Sequence, residues 1–92
     1  MAVAVTVVAS VTSDMYDAVS AKAMPDGELP DGCNLHIAGP FEGKWRVLTV
    51  WDDADQFHRF RAERLLPALQ EAGATDDGPP NISIDPVHRL IR

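Results

Sequence analysis

The spacing of hydrophobic and polar positions predicts four β-strands. Residues 2–9 form a run rich in Val and Thr, whose β-branched side chains favour an extended strand. Two shorter strands are predicted over 33–38 and 45–51, and the few Gly-containing residues between them predict an antiparallel hairpin. A last strand over 82–91 contains Pro86, which indicates an edge position or a bulge.

Two stretches have apolar residues spaced three and four apart, and these predict helices. The first covers residues 13–23, with Ser13 as the N-cap. The second begins near Ala54 and ends at Gly73. Pro67 interrupts it, and because proline lacks an amide proton and disfavours helical geometry in the preceding residue, we expect a kink or a fresh short helix there.

The order strand, helix, strand, strand, helix, strand predicts an α+β, ferredoxin-like βαββαβ domain over residues 1–92, with an antiparallel four-stranded sheet. A polar loop, residues 74–80, joins the second helix to the last strand. Two helices cover only one face of such a sheet. The first and third strands are largely apolar on both faces, as Val7 opposite Val8 and Val47 opposite Leu48 illustrate. We therefore predict a homodimer in which a second sheet covers the other face.

Composition narrows the range of partners. The 92 residues carry a net charge of −6, so no basic surface is expected to bind nucleic acid or anionic membranes. The first apolar run has no preceding Lys or Arg, and no run is long enough for a transmembrane helix, so neither a targeting segment nor a membrane span is expected. Cys33 is the only cysteine. Because it cannot form an internal disulfide, we expect a reducing, cytoplasmic location.

The middle of the chain carries a family resemblance. Its residues are the segments 36–40, 43–47 and 50–52 and the spaced helix positions Phe57, Phe60, 64–65 and 67–69. These segments resemble small actinobacterial proteins of the dimeric α/β barrel superfamily, which is ferredoxin-like and includes the antibiotic-biosynthesis-monooxygenase type. The resemblance implies a sheet-to-sheet dimer and a mostly apolar pocket between each sheet and its own helices.

Members of the superfamily share this pocket rather than one mechanism. They include cofactor-independent quinone-forming monooxygenases, olivetolic acid cyclase, muconolactone isomerase and haem-degrading monooxygenases. The haem-degrading branch resembles this chain in having a Trp before an acidic helix cap, as in Trp51 and Asp52. It also implies an Asn in the first strand, where Thr6 stands among Val residues, and an axial His where Arg61 stands. His58 is displaced from that position by about one helical turn and would not meet the same iron, so haem binding ranks below cofactor-independent chemistry.

His36 is the predicted catalytic residue, because an imidazole in a buried strand can act as a general acid or base near neutral pH. If Ala38 pairs with Trp45, His36 shares a face with Val47, whereas a slip of one residue places it beside Leu48. A buried structural histidine bonded to a backbone carbonyl is an equally good interpretation.

Other residues could bind a small apolar or aromatic ligand around His36. Tyr16 and Arg61 could hold an enol, phenol or carboxylate oxygen from the helix side, although such residues are more often found at the surface. The predicted binding residues are Tyr16, Asn34, Trp45, Thr49, Trp51, Phe57, Phe60, Arg61 and His88.

No metal site is predicted. The three histidines lie in separate elements without ligand spacing. The acidic group Asp52, Asp53 and Asp55 is better explained by capping of the second helix. Cys33 has no basic neighbour in the sequence that would activate its thiol and is expected to be a small buried hydrophobe.

The leading functional hypothesis is a cofactor-independent enzyme that cyclises, isomerises or monooxygenates a small cyclic or aromatic metabolite, with His36 as acid or base. The alternative is a non-catalytic ligand-binding or dimerisation module, which needs no activated residue. Haem binding is the third hypothesis.

Overall fold

The computed structural model describes residues 1–73 and 81–91 and shows an α+β, ferredoxin-like fold. Its antiparallel sheet has the strand order β2-β3-β1-β4, and the strands are β1 (Val3–Ala9), β2 (Cys33–Phe41), β3 (Lys44–Trp51) and β4 (Asn81–Pro86). The helices are α1 (Ser13–Ala23), α2 (Ala54–Phe60) and α3 (Leu66–Glu71), and a π-helical turn (Arg61–Leu65) joins the last two. The loop predicted over 74–80 lies outside the described residues.

The core lies between the sheet and the helices, in two connected groups of side chains. The first group is centred on Val5 of β1, which is fully buried and contacts Cys33, Trp51 and Phe57. The second group joins α1 to α3 through Val19, Ala23 and Ala68, which are all buried. The helices therefore cover the sheet face that carries Val5.

The helix starts differ in part from the sequence prediction. Thr12, not Ser13, caps α1: its backbone is still extended, and its Oγ1 accepts a hydrogen bond from the amide of Met15 at 3.1 Å. Ser13 already lies within the helix. The second helix begins at Ala54 as predicted.

Pro67 lies in α3, which follows the preceding helix without a break, since Phe60, Leu65 and Leu66 all have right-handed helical backbone. The predicted interruption takes the form of a π-helical turn just before the proline. The five-residue π-helical turn before it keeps the helical path continuous. Single π-helical turns are frequent at functional sites, and this one carries Arg61.

The hairpin is longer than the sequence predicts. β2 continues through Pro40 to Phe41, so the turn consists only of Glu42 and Gly43. Both turn residues have positive φ, 50° and 79°, as in the type I′ turns that match strand twist. Pro40 is tolerated because β2 is an edge strand.

β4 is shorter than predicted, because it ends at Pro86 rather than continuing to residue 91. Proline cannot donate to a strand ladder, and β4 lies at the other edge of the sheet. No helix within residues 1–73 and 81–91 is long and apolar enough to cross a membrane.

The turn geometry gives a stability prediction. Gly43→Ala should lower the free energy of unfolding by about 1–2 kcal/mol, because a Cβ disfavours the left-handed backbone, while the space around Gly43 is open. Glu42→Ala, where a side chain already occupies positive φ, should change it by less than about 0.5 kcal/mol. Urea unfolding of both variants measures the difference, and equal losses would contradict this account of the turn.

Candidate active site

A β-bulge at Asn34 determines which residues of β2 face the helices. Cys33 pairs with Trp51 and Leu35 pairs with Val50, so Asn34 is an extra residue on the β2 side. Simple alternation of side chains along the strand would place Cys33 on the same face as Leu35, and the bulge prevents this. The bulge returns Cys33 to the helix-facing side, three residues before His36.

The strand pairing also decides the position of His36. It pairs with Thr49, and Ala38 pairs with Val47. This is a two-residue shift from the pairing considered above, so His36 keeps the same face as Val47. That face points towards the helices and away from Leu48.

A cavity of about 210 Å³ lies between this face and the helices. Most of its wall is aliphatic or aromatic. Seven side chains with a nitrogen or oxygen atom contribute to it, namely those of Tyr16, Ser20, His36, Trp45, Thr49, Trp51 and Arg61. An apolar cavity with a few convergent polar groups is the usual form of a small-molecule site.

Tyr16 and His36 form a short hydrogen bond at the cavity wall. Tyr16 lies in the first turn of α1, and its amide donates to the carbonyl of the capping residue Thr12 at 2.9 Å. This fixed helix start aims the phenol at the sheet, where its Oη lies 2.5 Å from His36 Nε2.

Desolvation by burial lowers the pKa of His36 from its ordinary value of 6.5. The imidazole is therefore neutral near pH 7, with one nitrogen that donates and one that accepts. In the tautomer with Nε2 unprotonated, the Tyr16 hydroxyl donates to it. The pair can then transfer a proton between the cavity and the ring.

The two tryptophans on β3 differ in their hydrogen bonding. Trp51 Nε1 donates to Thr49 Oγ1 at 2.9 Å. Trp45 Nε1 is also buried, but no acceptor among the described residues bonds to it. The Trp45 ring lies 5.3 Å from the Tyr16 ring, measured between centroids. An unpaired donor therefore lies beside the Tyr16–His36 pair.

The helix side of the cavity supplies aromatic rings and one cation. Phe57 and Phe60 lie 5.9 and 5.4 Å from the Trp51 ring. Arg61 lines the cavity from the π-helical turn. Within the described chain the structure gives its guanidinium no ion pair or hydrogen bond, whereas nearby Arg64 donates to the Ala23 carbonyl at 3.3 Å.

The structure brings most of the predicted site residues together. Those that line the cavity are Tyr16, His36, Trp45, Thr49, Trp51, Phe57, Phe60 and Arg61. Asn34 and His88 do not line it. Asn34 donates to Asp52 Oδ1 at 2.8 Å and so ties the bulge to the end of β3. His88 is exposed beyond the end of β4.

Sequence reasoning missed several cavity residues. Ser20 lies one helical turn after Tyr16, so helical spacing could have identified it. Cys33 lines the cavity only because of the bulge. Burial raises the pKa of its thiol, which agrees with its predicted role as an inert hydrophobe.

The haem hypothesis gains no support from the side-chain positions. His58 is exposed, with its ring 5.6 Å from that of Phe57, and Arg61 occupies the wall instead. Among residues 1–73 and 81–91, no three His, Cys, Asp or Glu side chains form a group that could hold a metal ion.

Comparison with solved structures assigns this fold to a known type. A protein of unknown function from Nitrosomonas europaea superposes with a TM-score of 0.74 at 18% identity, covering 99% of this chain and 93% of its own. An antibiotic biosynthesis monooxygenase superposes with a TM-score of 0.67 at 8% identity, and the match covers 97% of this chain and 100% of that protein. The chain therefore shares its ferredoxin-like fold with these proteins. SnoaB from Streptomyces nogalater, a cofactor-independent oxygenase, superposes with a TM-score of 0.64 at 16% identity. The match covers 98% of this chain and 95% of SnoaB. No protein-family model matches the chain, and no curated protein matches it significantly.

The lowered pKa of His36 predicts a pH dependence of stability. Because folding lowers its proton affinity, the unfolded chain binds more protons below about pH 6.5, and the free energy of unfolding falls as the pH drops towards the folded pKa. His36→Gln should remove this part of the decline between about pH 7.5 and 5.5. Urea unfolding across that range measures it.

The control for this experiment is the same substitution at exposed His58. An NMR titration of the His36 ring measures its pKa directly, and the His36→Gln variant assigns the ring signals. A pKa above 6.5 for His36 would contradict the desolvation argument.

Proposed function

We propose that this protein is a cofactor-independent acid–base enzyme that acts on a small cyclic or aromatic metabolite, with Tyr16 and His36 as the proton-transfer pair. The hydrogen bond between Tyr16 Oη and His36 Nε2, 2.5 Å long at the wall of an apolar cavity, is the observation that carries this proposal.

The surroundings suit proton transfer at neutral pH. Burial keeps His36 neutral and therefore available as a base. Since Nε2 is bonded to Tyr16, a substrate proton passes to the tyrosine oxygen while the tyrosine proton passes to Nε2. Arg61 provides a positive charge for the enolate or phenolate that remains.

Several reactions can follow this step. Returning the proton to another carbon gives an isomerisation, and attack of the carbanion on a carbonyl of the same molecule gives a cyclisation. With dioxygen as oxidant, an activated CH₂ group becomes C=O, and the second oxygen atom leaves as water. SnoaB, which shares this fold, is a cofactor-independent oxygenase, and this supports the last possibility. The cavity geometry supports the common first step.

Enzyme and binding module differ in what they require of His36. A module that only binds a ligand needs the apolar walls but not a proton-transfer pair. Loss of proton transfer with retained binding in a His36 variant therefore favours the enzyme.

The proposed step can be followed as exchange of the acidic C1 protons of 2-tetralone in D₂O by NMR. Wild-type protein should accelerate the exchange, and His36→Gln should slow it by about 10²–10⁴-fold. Tyr16→Phe should also slow it, because the link to the base is lost. His58→Gln, which changes an exposed histidine outside the cavity, is the matched control. Equal rates in the His36 and His58 variants would contradict the proposal.

The sheet face opposite the helices supports a second part of the proposal, a homodimer. This face carries Leu35, Ile37, Leu48 and Val8, which alternate with the cavity-facing residues. Ile37 is 51% exposed. A second copy packed sheet-to-sheet would remove this apolar surface from water.

Ile37→Asp should convert the proposed dimer to monomer, because it places a charge in the apolar interface. Native mass spectrometry reports the subunit count and any retained small molecule together. Gln70→Asp, which adds the same charge on the exposed surface of α3, should leave the dimer intact. A wild-type monomer would overturn the dimer but not the chemistry of the cavity.

A further inference from the structure

The acid–base proposal leaves one buried donor at the cavity wall unused, the indole N–H of Trp45. Trp45 lines the cavity, and its Nε1 is buried without an acceptor among the described residues. Buried N–H groups are almost always hydrogen-bonded, because leaving one unpaired is costly. The comparable donor of Trp51 is satisfied within the protein by Thr49.

We infer that Trp45 Nε1–H donates a hydrogen bond to an oxygen atom of the ligand, so that the ligand is a small ring compound with a carbonyl or phenolic oxygen. This inference rests on the proposed function in assuming that the cavity takes a cyclic molecule. An indole can only donate, so the ligand atom opposite it must be an acceptor. A pure hydrocarbon leaves this donor unpaired.

The position of Trp45 relates this oxygen to the proton-transfer pair. Tyr16 is in ring contact with both Trp45 and His36, at centroid distances of 5.3 and 6.0 Å. An oxygen held by Trp45 is therefore close to the group that removes a proton. A carbonyl there accepts negative charge when the adjacent carbon loses its proton, and the indole N–H stabilises that charge.

The cavity limits the size of the ligand. An apolar cavity of about 150 Å³ holds benzene, and this one measures about 210 Å³. One substituted ring or two fused rings fit this space. The substrate class is thus a monocyclic or bicyclic ketone or phenol.

A matched pair of ligands tests the hydrogen bond. 1-Tetralone and tetralin have the same two-ring skeleton, and only the former carries a carbonyl oxygen. Calorimetric or NMR titration should show that wild-type protein prefers 1-tetralone by about threefold to tenfold, the range for one net hydrogen bond. Trp45→Phe keeps an aromatic wall but removes the N–H, and it should abolish this preference while affinity for tetralin stays the same.

NMR of the wild-type protein provides a second readout, which does not depend on the folding of the variant. The chain has two tryptophans, and each gives one indole N–H signal. 1-Tetralone should move the Trp45 signal downfield and tetralin should not, whereas the Trp51 signal, already bonded to Thr49, should respond equally to both. Trp45→Phe assigns the two signals.

Three results would overturn the inference: a preference for 1-tetralone that survives in Trp45→Phe, a Trp45 signal that responds equally to both ligands, or no binding of either ligand up to its solubility limit. Failure of the proton-exchange experiment is a separate outcome. A protein that prefers 1-tetralone through Trp45 but exchanges no protons is a binding module with this ligand class.

Discussion

The pairing of β2 with β3 is the constraint on which the site depends. The turn at Glu42 and Gly43 starts the hairpin, and from it each pair across the two strands follows in fixed order. Since side chains alternate between faces, a shift of one residue would move His36 from the cavity to the opposite side of the sheet. The turn conformation at Glu42 and Gly43 therefore bears on the position of His36 as well as on the fold.

The bulge at Asn34 modifies this order at one point. The bulge inserts one extra residue into β2 between the pairs that Cys33 and Leu35 form with β3. The Asn34 side chain donates a hydrogen bond to Asp52, which follows the end of β3. The strand can therefore present both Cys33 and His36 to the helices. Bulges often lie near active sites because they redirect a side chain, and here the redirected residue, Cys33, extends the apolar wall.

Sequence periodicity was sufficient for the order of strands and helices, whereas the pocket between the sheet and the helices was expected from the family resemblance. The strand and helix order followed from it because long apolar runs with clear spacing leave few alternatives. The length of the hairpin turn did not, since Gly39 and Pro40 are typical turn residues that an edge strand nevertheless tolerates. Thr12 and Ser13 are both good N-caps, and only the backbone conformation distinguishes them.

The bulge could not be predicted for a related reason. No glycine or proline marks Asn34, and its effect depends on pairing with a strand that is distant from it in sequence. Contacts between secondary-structure elements could not be predicted from the sequence either. Tyr16 and His36 were each candidates, but their hydrogen bond depends on how α1 lies across the sheet, which is set by tertiary packing.

The apolar character of the cavity explains why its few polar groups matter. Desolvation disfavours the charged imidazole and so keeps His36 a base near neutral pH. The same low polarity strengthens its bond to Tyr16 and makes any unpaired donor costly. The indole N–H of Trp51 is hydrogen-bonded to Thr49, whereas that of Trp45 has no acceptor among the described residues. The proposed proton transfer and the inferred ligand contact therefore both depend on the burial of a few polar groups between α1 and the sheet.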